Sequence, residues 1–524
     1  MRDGSVPGIS SVSMHVRSLS LLLLAGCGAA RGSARGSGPA STPPPSTATG
    51  TVLPVLEHHA SPRREGAYRV PELTRAAAAR VQRDPGFLAA LPGAIYAQPL
   101  YVPGTGGAPD LLVAASEANA VGAFDPVTGK AAWTRTLGPP VKGSDLPCGN
   151  IDPLGITGTP VVDPATRTVY LDAMTTPDGG ATRRHLVFAL SLADGTTRPG
   201  WPVDVGAALA PGLTFDPSVQ NQRGALALQG GVLYVPYGGH WGDCGAFRGW
   251  LVGLRAADPA QRAAWRTGAR GGGSWGPSGV SSAGGRVFLA TGNTFGASTW
   301  AGGEAVLSFT AGDLPGAAPL DWFAPSDWRD LDAGDVDIGG SGPILVDLPG
   351  ATPSALAVAL GKDGKIYLLD RAHLGNEGRQ LAVKTVSSGE IITAAAAYRA
   401  GGSTYVVFRG QGAGCPQGQS GDLTAVRLVP GGPPGVEVAW CASEHGRGSP
   451  IATSTDGAAE AVVWAVGAEG DDALHAFAAD TGVPIGAALG VGAQVKRFQS
   501  PIVSNGRIYV AAQGGVRAFV LPSR

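Results

Sequence analysis

The chain has 524 residues, with Lys+Arg 39 against Asp+Glu 40 and a formal net charge of −1. That balance leaves no electrostatic footprint for nucleic acid or for an anionic membrane surface. Charged residues make up only 15% while Gly (82) and Pro (42) abound, a composition of short strands and many tight turns rather than of a disordered chain.

The chain opens on a targeting segment. "MHVRSLSLLLLAGC" places Arg17 before an apolar run that ends at Cys27, too short to span a bilayer. Met14 is an alternative start. "LAGC" resembles the bacterial lipobox, which implies acylation of Cys27 after removal of residues 1–26, and Gly28 in place of an Asp implies sorting to the outer membrane. Residues 27–64 begin Gly/Ser/Pro/Thr-rich and read as a flexible linker, with His58 and His59 as a solvated pair. "PELTRAAAARVQRD" then reads as a short helix.

Export permits disulfides. Cys148, Cys244, Cys415 and Cys441 follow Cys27 and allow three pairings. The pairs Cys415–Cys441 and Cys148–Cys244 are expected, the first being close in sequence. No CxxC, CxxCH or HExxH occurs, so a zinc ribbon, c-type haem or zincin has no support.

From about residue 95 the chain repeats at roughly 40–50 residues, a propeller-blade period. Eight segments open the units: "YAQPLYV", "GITGTPVVD", "QRGALAL", "WGPSGVSS", "GGSGPILV", "ITAAAAY", "GSPIATS" and "QSPIVSN". A second, apolar strand follows each. The last unit stops at "VRAFVLPSR" without a fourth strand, which "GFLAALPG" (86–93) supplies if both chain ends share one blade. The expected fold is an all-β, eight-bladed β-propeller over residues 65–524, with seven blades as the alternative. In "FDPVTGKAAW" (124–133), Asp125, Thr128 and Gly129 suit a hairpin turn with a glycine bulge, and Trp133 suits packing between blades. Trp201, Trp265 and Trp440 fall at similar points of their units.

That repeat resembles the repeat of quinoprotein propellers, some of which bind pyrroloquinoline quinone (PQQ). Longer stretches such as "CGNIDPLGITGTPVVDPAT", "GKDGKIYLLDRAHLG" and "VWAVGAEGDDALHAFAADTG" resemble an exported, PQQ-binding-like lipoprotein subgroup. In the alcohol dehydrogenases of this family the resemblance implies a quinone held between a Trp and a vicinal disulfide, calcium held by Glu, Asn and Asp, and an Asp base. This chain has no Cys-Cys dipeptide.

Inner-strand starts face the central funnel of a propeller. They supply the candidate ligand-binding residues Gln98, Asp152, Gln222, Arg223, Trp275, Arg447 and Gln499, with Arg497 close by, and Arg223, Trp275 and Arg447 are expected to converge in one mouth. Arginines and an aromatic suit an anionic or planar ligand. Asp330, Asp332, Asp335 and Asp337 could hold calcium, but lack EF-hand spacing and read as a turn-forming acidic loop. "GGSWG" (272–276) matches G-x-S-x-G without the strand–turn–helix context of a nucleophile elbow. His240, Asp243 and Cys244 suggest Cys–His chemistry less well than a disulfide-pinned loop. His445 and His475 are isolated.

The sequence therefore reads as an exported outer-membrane lipoprotein, periplasmic or surface-exposed. It is expected to be a monomer that touches the membrane through its lipid anchor alone. Its propeller is a binding or scaffold module for a protein, peptide or glycan, without a cofactor and without nucleic acid. The alternative is a quinone-dependent dehydrogenase using PQQ with calcium in an atypical pocket.

Overall fold

The structure is a computed structural model and describes residues 50–209 and 212–521. The signal segment and Cys27 lie outside the described residues. Eight sheets, each built on an antiparallel meander, form the blades of a β-propeller. The inner strands are Leu100–Val102, Val161–Asp163, Ala227–Gln229, Ser281–Ala283, Ile344–Asp347, Ala396–Ala400, Ile451–Ser454 and Ile502–Ser504, for blades 1 to 8. In blade 8, Gly515–Val520 pairs with both Gln82–Arg83 and Ala89–Ala90. The segment 86–93 thus closes the ring, helped by two residues upstream. The helix is one turn, Arg75–Ala78, capped by the Thr74 hydroxyl, which accepts the Ala77 N–H.

Blades pack face to face, so their second strands are buried on both sides. Every residue of Leu111–Ala115, Thr168–Thr175 and Val462–Val466 is buried. This is why these strands read as continuous apolar runs rather than as alternating ones. The core is correspondingly distributed between neighbours; Val187, Tyr170 and Trp201 of blade 2, for example, pack with Leu233, Val235 and Trp250 of blade 3.

The outer turns explain the repeat. Asp125 Oδ1 accepts the N–H groups of Val127 and Thr128 and the Thr128 hydroxyl, at 2.8–3.0 Å. A bulge follows Ala123. Trp133 Nε1 donates to Leu192 O of blade 2, and Trp440 Nε1 to Ala479 O of blade 7, both at 2.8 Å. Gly195 and Gly482 sit in those partner turns with φ of +73° and +72°, and a Cβ on either would lie 2.6 Å from the tryptophan ring of the blade before. Positive φ and close approach both require glycine there. Both expected disulfides are formed, Cys148–Cys244 and Cys415–Cys441.

One expectation fails. Residues 50–64 are not part of a linker; they enter the ring and seal one end of its channel. Val55 exchanges two backbone hydrogen bonds with Tyr101 of blade 1. The carbonyls of Leu56, Pro62, Arg63, Glu65 and Gly66 then accept N–H groups from the inner strands of blades 2, 4, 5, 6 and 7 in turn. Ala67–Arg69 adds a parallel strand to Ile451–Ser454, and Thr51 O binds Asn505 N–H beside blade 8. Arg64 completes the plug, fully buried. It donates to Glu57 Oε2 at 2.8 Å and to the carbonyls of His58, Leu226 of blade 3 and Val280. His58 and His59 are buried and stacked, ring centroids 4.2 Å apart, instead of solvated. The low-complexity composition ends near residue 49. "TVLPVLEHHASPRR" carries four aliphatic side chains and backbone groups that the eight inner edges can satisfy.

Candidate functional site

The other end of the channel is open. It widens into a funnel of about 430 Å³. Loops from two kinds of position line it. Segments before inner strands bring Tyr96, Arg223, Trp275, Asp335, Asp337, Arg447 and Arg497, and loops after second strands bring Trp241, Asp243, Asn293 and Lys362.

Arg223, Trp275, Arg447 and Arg497 thus share one cavity, whereas Gln98, Gln222, Gln499 and Asp152 do not line it. Gln98 Oε1 accepts His59 N–H and ties the plug to blade 1. Gln222 donates to Gly224 O, Gln499 to Ala97 O, and Asp152 accepts Gly143 N–H in an exposed loop. These four are ties between backbone segments.

The charges are sorted. Arg497 pairs with Glu469 at 2.7 Å. Arg223 lies beside Phe498, its guanidinium 5.9 Å from the ring centroid, and its buried Nε has no hydrogen-bond partner. Burial and neighbouring Arg497 hold it below the usual arginine range. Among the described residues, neither Arg223 nor Arg447 makes an ion pair. Glu117 is the buried carboxyl near Arg223, but burial pushes it up to about 7 while Gly155 N–H binds its Oε2 at 2.7 Å. It is therefore a neutral acid below neutrality. Blades 5 and 6 present the opposite chemistry. Lys362 Nζ bridges Asp335 at 2.8 Å and Asp337 at 2.6 Å, and sits 5.5 Å from the Trp275 ring centroid. Those carboxylates raise the Lys362 pKa against the effect of burial. Glu390 and Asp243 add two further acids to the lining.

The rim is pinned. The Cys148–Cys244 bridge joins the loop before blade 2 to the loop that carries Trp241 and Asp243. His240 Nε2 bonds Ser218 O at 3.1 Å, and Arg270 donates to Gly245 O at 2.6 Å. With Cys244 oxidised, no thiolate stands beside His240. Ser274 of "GGSWG" is followed by the strand Ser281–Ala283, not by a helix. His475 bonds Asp471 at 2.9 Å on its own blade. Beneath the funnel, His58 of the plug, Thr157, Thr159 and Arg223 surround a cavity of about 10 Å³, room for about one water.

The acidic stretch is not a single loop: Asp330 and Asp332 lie on the helix Trp328–Gly334, which ends at Asp335. Asp330 is exposed, Asp332 accepts the Thr294 hydroxyl at 3.0 Å, and Asp335 and Asp337 reach the funnel. Lys362, Asn293 and Trp241 escaped a reading confined to inner-strand starts. Their signal was the loop after each second strand, "GKDGK", "TGNTFG" and "GGHWGDCG".

No family model matches the chain, and no curated protein sequence matches it either. Solved structures do. Quinohemoprotein alcohol dehydrogenase from Comamonas testosteroni aligns with a TM-score of 0.60 at 16% identity over 90% of this chain and 81% of that one. Quinohemoprotein alcohol dehydrogenase ADHIIG from Pseudomonas putida HK5 gives 0.61 at 14% over the same shares. A europium-containing methanol dehydrogenase gives 0.59 at 13%, over 88% and 89%. The fold is a quinoprotein-like β-propeller. At these identities the likeness establishes architecture alone.

The quinone and calcium implied by that fold meet a mixed lining. Trp275 and three arginines fit a planar polyanion. The carboxylate best placed for calcium is engaged: Asp337 Oδ1 takes Asn293 N–H at 2.6 Å, its Oδ2 takes Lys362, and no three His, Cys, Asp or Glu among the described residues are grouped to hold a metal. The residues do not fit the metal–quinone pair, and no oxidation step is derived from it.

Proposed function

We propose that this protein is a cell-envelope binding module whose funnel holds a small anionic molecule, presented by an exported lipoprotein anchored through Cys27. The observation that carries this reading is the arginine wall. Among the described residues, Arg223 and Arg447 stand in the funnel without a carboxylate partner, and Arg223 Nε is buried and unbonded. An uncompensated, partly desolvated cation is costly unless a ligand neutralises it. Guanidinium groups take carboxylate or phosphate in bidentate fashion. Calorimetry with a panel of carboxylates and phosphates tests the reading. Binding is expected in the wild type and lost in the Arg223→Ala, Arg447→Ala double variant; equal affinity in both would refute it. For the anchor, Cys27→Ala is expected to release the protein from membranes.

Trp275 favours a second reading, a quinone-dependent oxidoreductase. Addition of PQQ with and without calcium, followed by absorption spectra and dye reduction with alcohols, decides it. A retained quinone spectrum with dye reduction would favour this reading over the first.

A further inference from the structure

Resting on the anion reading of the funnel, we infer that the ligand is an acidic sugar, a ring bearing both hydroxyls and a carboxylate, and that Trp241 is the platform on which that ring lies. Trp241 is 65% exposed, the most exposed large hydrophobic side chain among the described residues, yet it lines the funnel. Its exposure does not come from a loose loop. The disulfide from Cys244 to Cys148, the His240 bond to Ser218 O and the Arg270 bond to Gly245 O fix the segment on both sides of it. A large aromatic held rigidly at a cavity mouth offers contact area at little cost in conformational entropy.

The other walls select the ring chemistry. Arg223 and Arg447 present donors to a carboxylate, and Arg497 stands beside them paired with Glu469. Asp243 and Glu390 present acceptors, and an ionised carboxylate accepts only; Asp335 and Asp337 are already engaged by Lys362. A planar polycarboxylate would satisfy the arginines and meet Asp243 and Glu390 with like charge. A neutral sugar would satisfy the acids and leave Arg223 and Arg447 unpaired. A sugar acid satisfies both, its hydroxyls donating to the acids, its carboxylate accepting from the arginines, and its apolar C–H face resting on the indole.

The test compares digalacturonate, succinate and cellobiose by calorimetry on the wild type, Trp241→Ala, Trp241→Phe and Arg447→Ala. Digalacturonate is expected to bind most tightly. Trp241→Ala is expected to weaken it by about tenfold to a hundredfold and to leave succinate unchanged. Trp241→Phe restores most of the loss, and Arg447→Ala weakens both acids. Unchanged melting temperatures confirm that the Trp241 variants fold. Equal weakening of succinate by Trp241→Ala, no weakening of digalacturonate, or cellobiose binding as tightly as digalacturonate would overturn the sugar-acid assignment while the anion reading stands. Failure of both acids to bind the wild type would overturn the anion reading, and this inference with it.

Discussion

At the sealed end of the channel, Arg64 is fully buried and every charge around it is answered by the chain itself, by Glu57 and by carbonyls from the plug and from blades 3 and 4. At the open end, Arg223 is also held in a partly desolvated place, but the nearest buried acid, Glu117, is kept neutral below about 7 and no carboxylate pairs with it. The same side chain in the same ring is thus used in two ways. One arginine is a rivet whose partners come with the fold, and on the proposed reading the other is a donor set for a ligand. The contrast separates stability from binding, and it can be attacked from either side.

The largest effect is expected at the rivet. Arg64→Met leaves Glu57 buried without its partner and strips donors from three carbonyls, and should cost about 3–5 kcal/mol in chemical denaturation. A loss below about 1 kcal/mol would show that the plug is not held this way. Next comes Glu117. Its folded-state pKa is raised from 4.5 to about 7 by burial, so the folded protein binds this proton more tightly than the unfolded chain. Its contribution is complete below about pH 4.5 and is lost as pH rises through about 7, roughly 3 kcal/mol in all. Glu117→Gln keeps an acceptor for Gly155 N–H and should flatten stability over that window; an unchanged pH profile would mean that Glu117 is ionised in the folded state and already neutralises Arg223.

At the open end the expectation reverses. The Arg223→Ala, Arg447→Ala pair should lose about a hundredfold in anion affinity, because hydrogen bonds to charged groups contribute about 1.5–3 kcal/mol each. Its stability should stay within about 0.5 kcal/mol of wild type. A stability loss comparable to that of Arg64→Met would erase the distinction between the two ends. The smallest effect belongs to a site away from both. Asp125→Ala removes three turn hydrogen bonds on the outer edge of blade 1 and should cost about 1 kcal/mol without touching binding.

The propeller was legible because its signals are local and repeated. Asp and Gly mark several of the outer turns, four blades carry a Trp just after, and eight inner-strand starts average out errors at any one. Ring closure by residues 86–93 was legible as a missing strand. The plug was not, because its bonds run through backbone carbonyls to seven other parts of the chain and ask nothing distinctive of its side chains; only Arg64 and the two histidines are specific, and burial cannot be read from a single copy. Half of the funnel was legible for a related reason. Inner-strand starts recur at a fixed place in each unit, so Arg223, Trp275, Arg447 and Arg497 could be found by position. Trp241, Asn293 and Lys362 sit on loops whose length differs from blade to blade, where register is lost. Gln98, Gln222 and Gln499 occupy the right positions but spend their amides on neighbouring backbone.

The plug also sets a constraint in time. Its residues are among the first of the propeller to be synthesised, yet Leu53 bonds Ser504, 451 positions further on, and Ala67–Arg69 pairs with Ile451–Ser454. Contacts of such sequence separation form late, because the chain between must be ordered first. The segment therefore acts as a completion check. Until the last two blades exist it lacks its parallel partner Ile451–Ser454, and the closing segment 86–93 lacks its partner Gly515–Val520.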